Sequence, residues 1–384
     1  MGTAVLGIGL AGKSLTDLER RIIRDSPPYA VVLFGRNIGS EEQFRELVRE
    51  VKSLAKDKPP LFMIDEEGGR VDRLRNIVPG FPSAEAFAEG ERPGEMSRWL
   101  GQAIGRALRY FDVEIDLAPV VDIRGEAPTK GLERRCFGKD PETVVELAGE
   151  FMRGLQSAGV AACLKHWPGI GIGSADPHYG ATVIDVSLED LARRDLVPFQ
   201  QLGNEAGAIM IGHGTYPQID DPDLPATLSW RMTTDLLRNR VDFNGLAVSD
   251  DMEMHAVSDL GSYEEITERA LMAGNDIILF CSHIERIPDI DRYIAARVKE
   301  DAKVRERYEE SIRRAENYRL HCEGLRGEAG PPVESFGRLL EEVTEFCDAY
   351  EATRPARDGS APDVDRRKGP RTPGKGRTGR EEWT

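Results

Sequence analysis

Long apolar runs are missing from this chain: none approaches the roughly 18 to 20 residues that a bilayer span requires. Cysteine is sparse and scattered, at Cys136, Cys163, Cys281, Cys322 and Cys347. An odd number with no close spacing excludes a disulfide framework and a zinc knuckle, and points to reduced thiols in a cytoplasmic protein. Basic charge is in deficit, with a formal net charge of -16. A polyanion would be repelled, so neither nucleic acid nor an anionic membrane is expected as a partner. No strand-like run is followed by a GxGxxG phosphate turn, and no HxH or HExxH spacing signals a metal. The opening MGTAVLGIGLAGKS lacks the basic start of a secretion leader and reads as a buried strand. The 40% apolar content is enough for a sizeable core.

Eight apolar segments stand out: TAVLGIGL, YAVVLFG, PLFMID, VEIDLAPVVDI, GVAACLKH, GAIMIGHG, GLAVSDD and NDIILFC. They are continuous rather than alternating, as strands covered on both faces are. Helical patterns lie between them, with Ser40 and the Asp140-Pro141-Glu142 start reading as helix caps. Strands alternating with helices imply a parallel sheet, and eight of them fit an α/β fold of the TIM-type (β/α)8 barrel class, a single catalytic domain over 1–322. A doubly wound open sheet is the alternative. The segment 323–351 reads as a linker followed by a docking helix, whose one face carries Phe336, Leu339, Leu340, Val343, Phe346, Cys347 and Tyr350. The stretch 352–384, rich in proline, glycine and basic residues, reads as a disordered polar tail.

Asp65, Asp122, Lys165 with His166, His213 and Asp250 each fall at the C-terminal end of an expected strand, and a barrel gathers such ends on one face. In IDEEGGRVDRL, Asp65 would reach the barrel mouth, where a carboxylate can accept paired hydrogen bonds from sugar hydroxyls. A surface turn with salt-bridging arginines is the alternative for that segment. In LAVSDDMEMH, Asp250 is the better candidate to face the mouth, leaving Asp251 to cap the next helix. The stretch KHWPGIGIGSADPHYG holds an Asp-x-His triplet, Asp176 and His178, in a glycine-rich loop. Extended residues two apart project the same way, so the carboxylate can hold the imidazole for proton transfer, and the glycines would let the loop close.

Together these motifs resemble glycoside hydrolase family 3, of the single-barrel β-N-acetylhexosaminidase type. VVLFGRNI and IDEEGGRVDR are similar to the family's second-strand signature and its IDQEGGRVQR. LAPVVDI, RRCFGKDP, KHWPG, DPH, PATLS, SDDMEM and the AGND segment follow in the family's order. The resemblance implies that Asp250 is the nucleophile of a retaining mechanism, His178 the acid/base and Asp176 its partner. It implies that Asp65, Arg73, Arg135, Lys165 and His166 bind the sugar, that no metal or cofactor is needed, and that a monomer acts on a carbohydrate. The implied substrate is terminal β-linked N-acetylglucosamine of a muropeptide or oligosaccharide, in peptidoglycan recycling. The chain departs from the usual KHFPGHGD, with Trp167 for Phe and with Ile170 and Ile172 for His and Asp. Alternatives are a β-glycoside phosphorylase, a β-glucosidase-like family 3 enzyme, and a non-catalytic sugar-binding protein.

Overall fold

Each of the eight apolar segments becomes a stave of a closed barrel. In chain order the strands are β1 (Leu6–Gly9), β2 (Ala30–Leu33), β3 (Leu61–Ile64), β4 (Ile115–Asp116), β5 (Ala161–Ala162), β6 (Leu164–Trp167), β7 (Ser174–Ala175), β8 (Thr182–Val183), β9 (Ala208–Ile211), β10 (Leu246–Asp251) and β11 (Ile277–Phe280). The computed structural model describes residues 2–55, 57–87, 91–126, 129–175 and 182–352. β5 and β6 are two halves of one stave, interrupted at Cys163; β5 pairs with β4 and β6 with β9. All pairings in this sheet are parallel, so the ring closes as a TIM-type (β/α)8 barrel. β7 and β8 form a separate antiparallel ribbon.

Alternation along each strand sorts the apolar side chains into two layers. Ala30, Val32, Leu61, Met63, Ile115, Cys163, Met210, Leu246, Val248, Ile277 and Leu279 form one cluster inside the barrel. Their neighbours Val31, Leu33, Phe62, Ile64, Leu164, Ile209, Ala247 and Ile278 join the helices in the outer layer. This is why the runs lack polar alternation: both faces are buried. Ser40 and Asp140 cap the helices Glu41–Leu54 and Pro141–Ser157, accepting hydrogen bonds from the Gln43 and Thr143 backbone N–H groups.

The helix Ala302–Glu328 closes the N-terminal mouth of the barrel. Its Ala315, Tyr318 and Cys322 join the inner cluster, Tyr318 donates to Ala162 O at 2.8 Å, and Tyr29 donates to Ala315 O at 2.9 Å. Arg307 and Arg314 reach Asp276 at the start of β11, as does Arg238, so the buried carboxylate is charge-compensated. This helix runs on through Gly324 to Glu328, residues whose composition reads as linker. The helix Phe336–Ala352 lies against Pro93–Tyr110, with Phe346 edge-on to Trp99 at 5.5 Å and Tyr350 beside Phe87 at 5.1 Å. Among the described residues no helix is long and apolar enough to cross a membrane. The tail from 353 onward lies outside the described residues.

Candidate active site

With one end plugged, the C-terminal ends of the strands are left as the open face. Alternation carries the inner column up to them. Leu61 and Met63 point inward, so Asp65 does; Cys163 points inward, so Lys165 does; Leu246 and Val248 point inward, and Asp250 follows them at the C-terminal end of β10, past a slip in the strand's register. The apolar interior thus ends in a polar layer.

Lys165 is almost fully buried, and its Nζ donates to Asp65 Oδ1 at 2.6 Å and lies 2.6 Å from Glu67 Oε1. Glu67 also receives a two-pronged contact from Arg135, Nε to Oε2 at 2.7 Å and Nη2 to Oε1 at 2.8 Å. Arg73 completes the cluster, its Nη2 lying 3.7 Å from Asp65 Oδ2. Burial by itself would raise the Asp65 carboxyl, but Lys165 and then Arg73 outweigh it and hold the group below its ordinary value. Burial likewise opposes ionisation of Glu67, and Arg135 and Lys165 overcome it, holding that carboxyl well down. The Lys165 ammonium, penalised by burial, is raised by the same two acids. All three therefore remain charged at neutral pH. Glu67 was not singled out in the sequence, although its place two residues after Asp65 puts it on the same side of an extended chain.

His166 stands beside this cluster. Its Nδ1 lies 2.7 Å from Asp122 Oδ2, and the other Asp122 oxygen accepts from Ile170 N at 2.8 Å. An ionised Asp122 can only accept, so Nδ1 carries the proton and Nε2 is left for a ligand. His213 has no such freedom. Nε2 lies 2.9 Å from Asp251 O, a pure acceptor, and Nδ1 lies 2.6 Å from the Thr227 hydroxyl. Burial lowers its pKa, so it is a neutral brace between the ends of β9 and β10.

Asp250 is half-buried, with Oδ1 accepting from Asp251 N at 2.8 Å. The pairing of β10 with β11 slips between Val248 and Asp251, an irregularity of the kind that re-aims side chains beside a site. Asp65 follows the last residue of β3 and Asp250 lies at the end of β10, and because the staves are parallel both carboxylates stand at the same end of the barrel. Asp251 does not cap the next helix, which begins after Met254. It accepts from Glu253 N and Cys281 N instead, tying β10 to the end of β11. Burial, then the Glu253 and Asp250 charges, push its carboxyl up to about 7.

Asp176 and His178 lie outside the described residues. The segments leading to them are held tightly. Ser174 pairs with Val183 and Ala175 with Thr182, and Thr215 N donates to Thr182 O at 2.9 Å. The glycines at the root of this loop serve close approach rather than freedom. A Cβ on Gly171 would sit 2.0 Å from Ile123 O, and Gly169, at φ +114, would meet Asp195 Cβ at 2.6 Å. Ile170 packs against Val120, Leu132 and Cys136, and its carbonyl lies 2.7 Å from the Thr129 hydroxyl, so contacts of other kinds hold the positions that depart from KHFPGHGD. Among the described residues no three His, Cys, Asp or Glu side chains converge as a metal site.

The arrangement suits a small polyhydroxylated ligand: fixed cations and anions beyond the C-terminal ends of the staves, an imidazole beside them, and a carboxylate at the end of β10. The glycosyl hydrolase family 3 N terminal domain matches residues 11–317. A beta-hexosaminidase of Pseudomonas aeruginosa is 35% identical over 281 residues, 73% of this chain and 82% of that one. The family 3 β-N-acetylglucosaminidase from Paenibacillus sp. str. FPU-7 superposes with a TM-score of 0.80 at 28% identity, covering 90% of this chain and 67% of that one. NagZ from Neisseria gonorrhoeae, solved with N-trifluoroacetyl-D-glucosamine, shares the fold with a TM-score of 0.72 at 24% identity, over 91% and 96% of the two chains. With a closed barrel, a charged cup at its C-terminal mouth and relatives matched over most of its length, the chain belongs to glycosyl hydrolase family 3 and is a glycoside hydrolase.

Proposed function

We propose that this enzyme releases terminal β-linked N-acetylglucosamine with retention of configuration, Asp250 being the nucleophile and His178 the acid/base. The observation that carries the proposal is Asp250 at the C-terminal end of β10, the same barrel end as the Lys165–Asp65–Glu67–Arg135 cluster. The names of the relatives matched above supply the sugar.

In the first step His178 gives its proton to the glycosidic oxygen while Asp250 bonds to the anomeric carbon, and the C–O bond to the leaving group breaks. In the second, neutral His178 takes a proton from water, the water oxygen bonds to the anomeric carbon, and Asp250 leaves. Asp176 holds the imidazole in one tautomer through both steps. Most retaining glycosidases use two carboxyl groups for this work, and an imidazole replaces one of them here. Asp65, Arg73, Arg135, Lys165 and His166 hold the sugar hydroxyls and acyl group, already oriented by their mutual contacts before substrate arrives. The substrate is an oligosaccharide or muropeptide, and five buried free thiols fit a reducing cytoplasm.

Labelling the intact protein with a fluorinated N-acetylglucosaminide tests this. A mass increase mapped to the peptide holding Asp250 supports it. A label elsewhere, or release of sugar phosphate in place of free sugar in phosphate buffer, rejects it.

A further inference from the structure

Behind the charged cup lie three buried carboxyl groups that the proposed mechanism does not use. Glu66 is fully buried; its Oε2 accepts from Arg73 N at 2.8 Å and from Leu74 N at 3.0 Å, while its Oε1 has no donor among the described residues. Asp72 is buried too. Its Oδ2 accepts from Phe81 N at 3.0 Å, and its Oδ1 has no donor among the described residues. Glu66 holds the backbone N–H of Arg73, the residue next to Asp72, so the two buried carboxyls lie side by side. Two carboxylates cannot hydrogen-bond unless one brings a proton, so the two orphaned oxygens satisfy each other only in the acid–carboxylate form. Both positions are glutamine in IDQEGGRVQR, where an amide N–H would fill the same place.

We propose that Glu66 and Asp72 share one buried proton, and that this acid pair is a positioning device for Arg73 and Asp65, released when the proton is lost at alkaline pH. The inference rests on the proposed role of Asp65 and Arg73 as sugar contacts. Glu66 follows Asp65 directly and holds the Arg73 backbone, so it joins the two halves of that contact through one carboxylate. Asp72 precedes Arg73 and ties the turn to the 81–83 segment through Phe81.

The charged surroundings favour retention of the proton. From β4, Asp116 faces Glu66, its Oδ1 accepting from Glu66 N at 2.9 Å and its Oδ2 without a donor among the described residues; burial pushes that carboxyl well up. Arg75 faces Asp72, its Nε donating to the Asp72 carbonyl at 2.9 Å. Asp65, Glu67 and Lys165 lie beyond and act on Asp116. Burial, followed for Glu66 by the Asp72 and Asp116 charges, raises both members of the pair, so they titrate as a unit. Loss of the shared proton leaves two buried anions facing each other, and the turn bearing Arg73 must open.

Glu66→Gln is the test, since its amide supplies permanently the hydrogen that the shared proton supplies conditionally. KM and kcat for a nitrophenyl N-acetylglucosaminide, and unfolding in urea, are measured across the same pH range. The wild type is expected to show KM climbing on the alkaline side, at most about tenfold per pH unit, with kcat changing less. Its stability should fall as pH rises out of the ordinary carboxyl range, because the native state holds the extra proton. E66Q makes both curves shallower than those of wild type, the remaining slope in stability coming from the other raised carboxyls Asp116 and Asp251, and matches wild-type KM on the acid side; Glu66→Ala raises KM throughout. An alkaline KM limb in E66Q equal to that of wild type overturns the positioning role, even if the stability curve flattens. An unchanged stability curve overturns the shared proton. Should no N-acetylglucosaminide be turned over by wild type, the functional proposal fails separately, and the stability curves alone decide the acid pair.

Discussion

Removing the negative charge at Glu67 tests whether the polar layer works as a mutually compensated cluster. Glu67→Gln keeps the shape and one acceptor but leaves Lys165 with Asp65 alone, and Arg135 with the Gly131 carbonyl at 3.0 Å. Two unit charges about 4 Å apart at an effective dielectric near 20 interact by about 4 kcal/mol, and stripping one partner from a buried pair costs about 3–5 kcal/mol. The retained amide oxygen places E67Q near the lower end, about 3 kcal/mol in urea unfolding at neutral pH. Lys165→Met strands two acids and costs at least as much. The double variant removes charges of both signs, so its loss falls short of the sum by about 2 kcal/mol. The E67Q penalty also depends on pH with a definite sign. Glu67 is held below its ordinary value, so its contribution is complete above the normal carboxyl range and disappears as pH falls through the depressed value. The penalty is therefore level from about pH 5 to pH 8 and shrinks in acid. Single and double losses that add within about 0.5 kcal/mol would refute the compensated-cluster argument.

Asp250→Ala should cut kcat by a factor on the order of 10⁴ or more in steady-state assays with an aryl glycoside, leaving the unfolding midpoint near wild type. His178→Ala should cost about 10²–10⁴-fold with a poor leaving group and much less with a nitrophenolate, which departs without a proton; equal losses on both substrates would count against the acid role. Asp176→Asn should shift the pH profile of kcat/KM and lower its maximum, leaving sugar binding by calorimetry unchanged. Phe346→Ala, removing a fully buried ring packed on Trp99, should cost about 3–5 kcal/mol and make the C-terminal helix a protease site, read by limited proteolysis.

The strand count, the barrel class and the meeting of Asp65 with Lys165 were legible because they depend on local patterns. Apolar runs buried on both faces, capped helices between them and polar residues at their C-terminal ends need no knowledge of distant contacts. The apolar face of the last helix was equally legible from its spacing. Glu67 and the acid pair were not. Which member of Asp65-Glu66-Glu67 meets Lys165 and Arg135, and which turns away toward Asp72, is settled by side chains 68 and more residues distant, closing on them from β6 and from the loop after β4. Nor could composition show that GLRGE continues a helix, because its two glycines are carried by a helix whose Tyr318 and Cys322 are anchored in the barrel.

By itself the sequence determined the periodicities, and with them a ring of eight staves whose polar ends share a mouth. Only the tertiary structure decided which charges are paired there, because a buried carboxyl takes its protonation state from neighbours that lie far away along the chain.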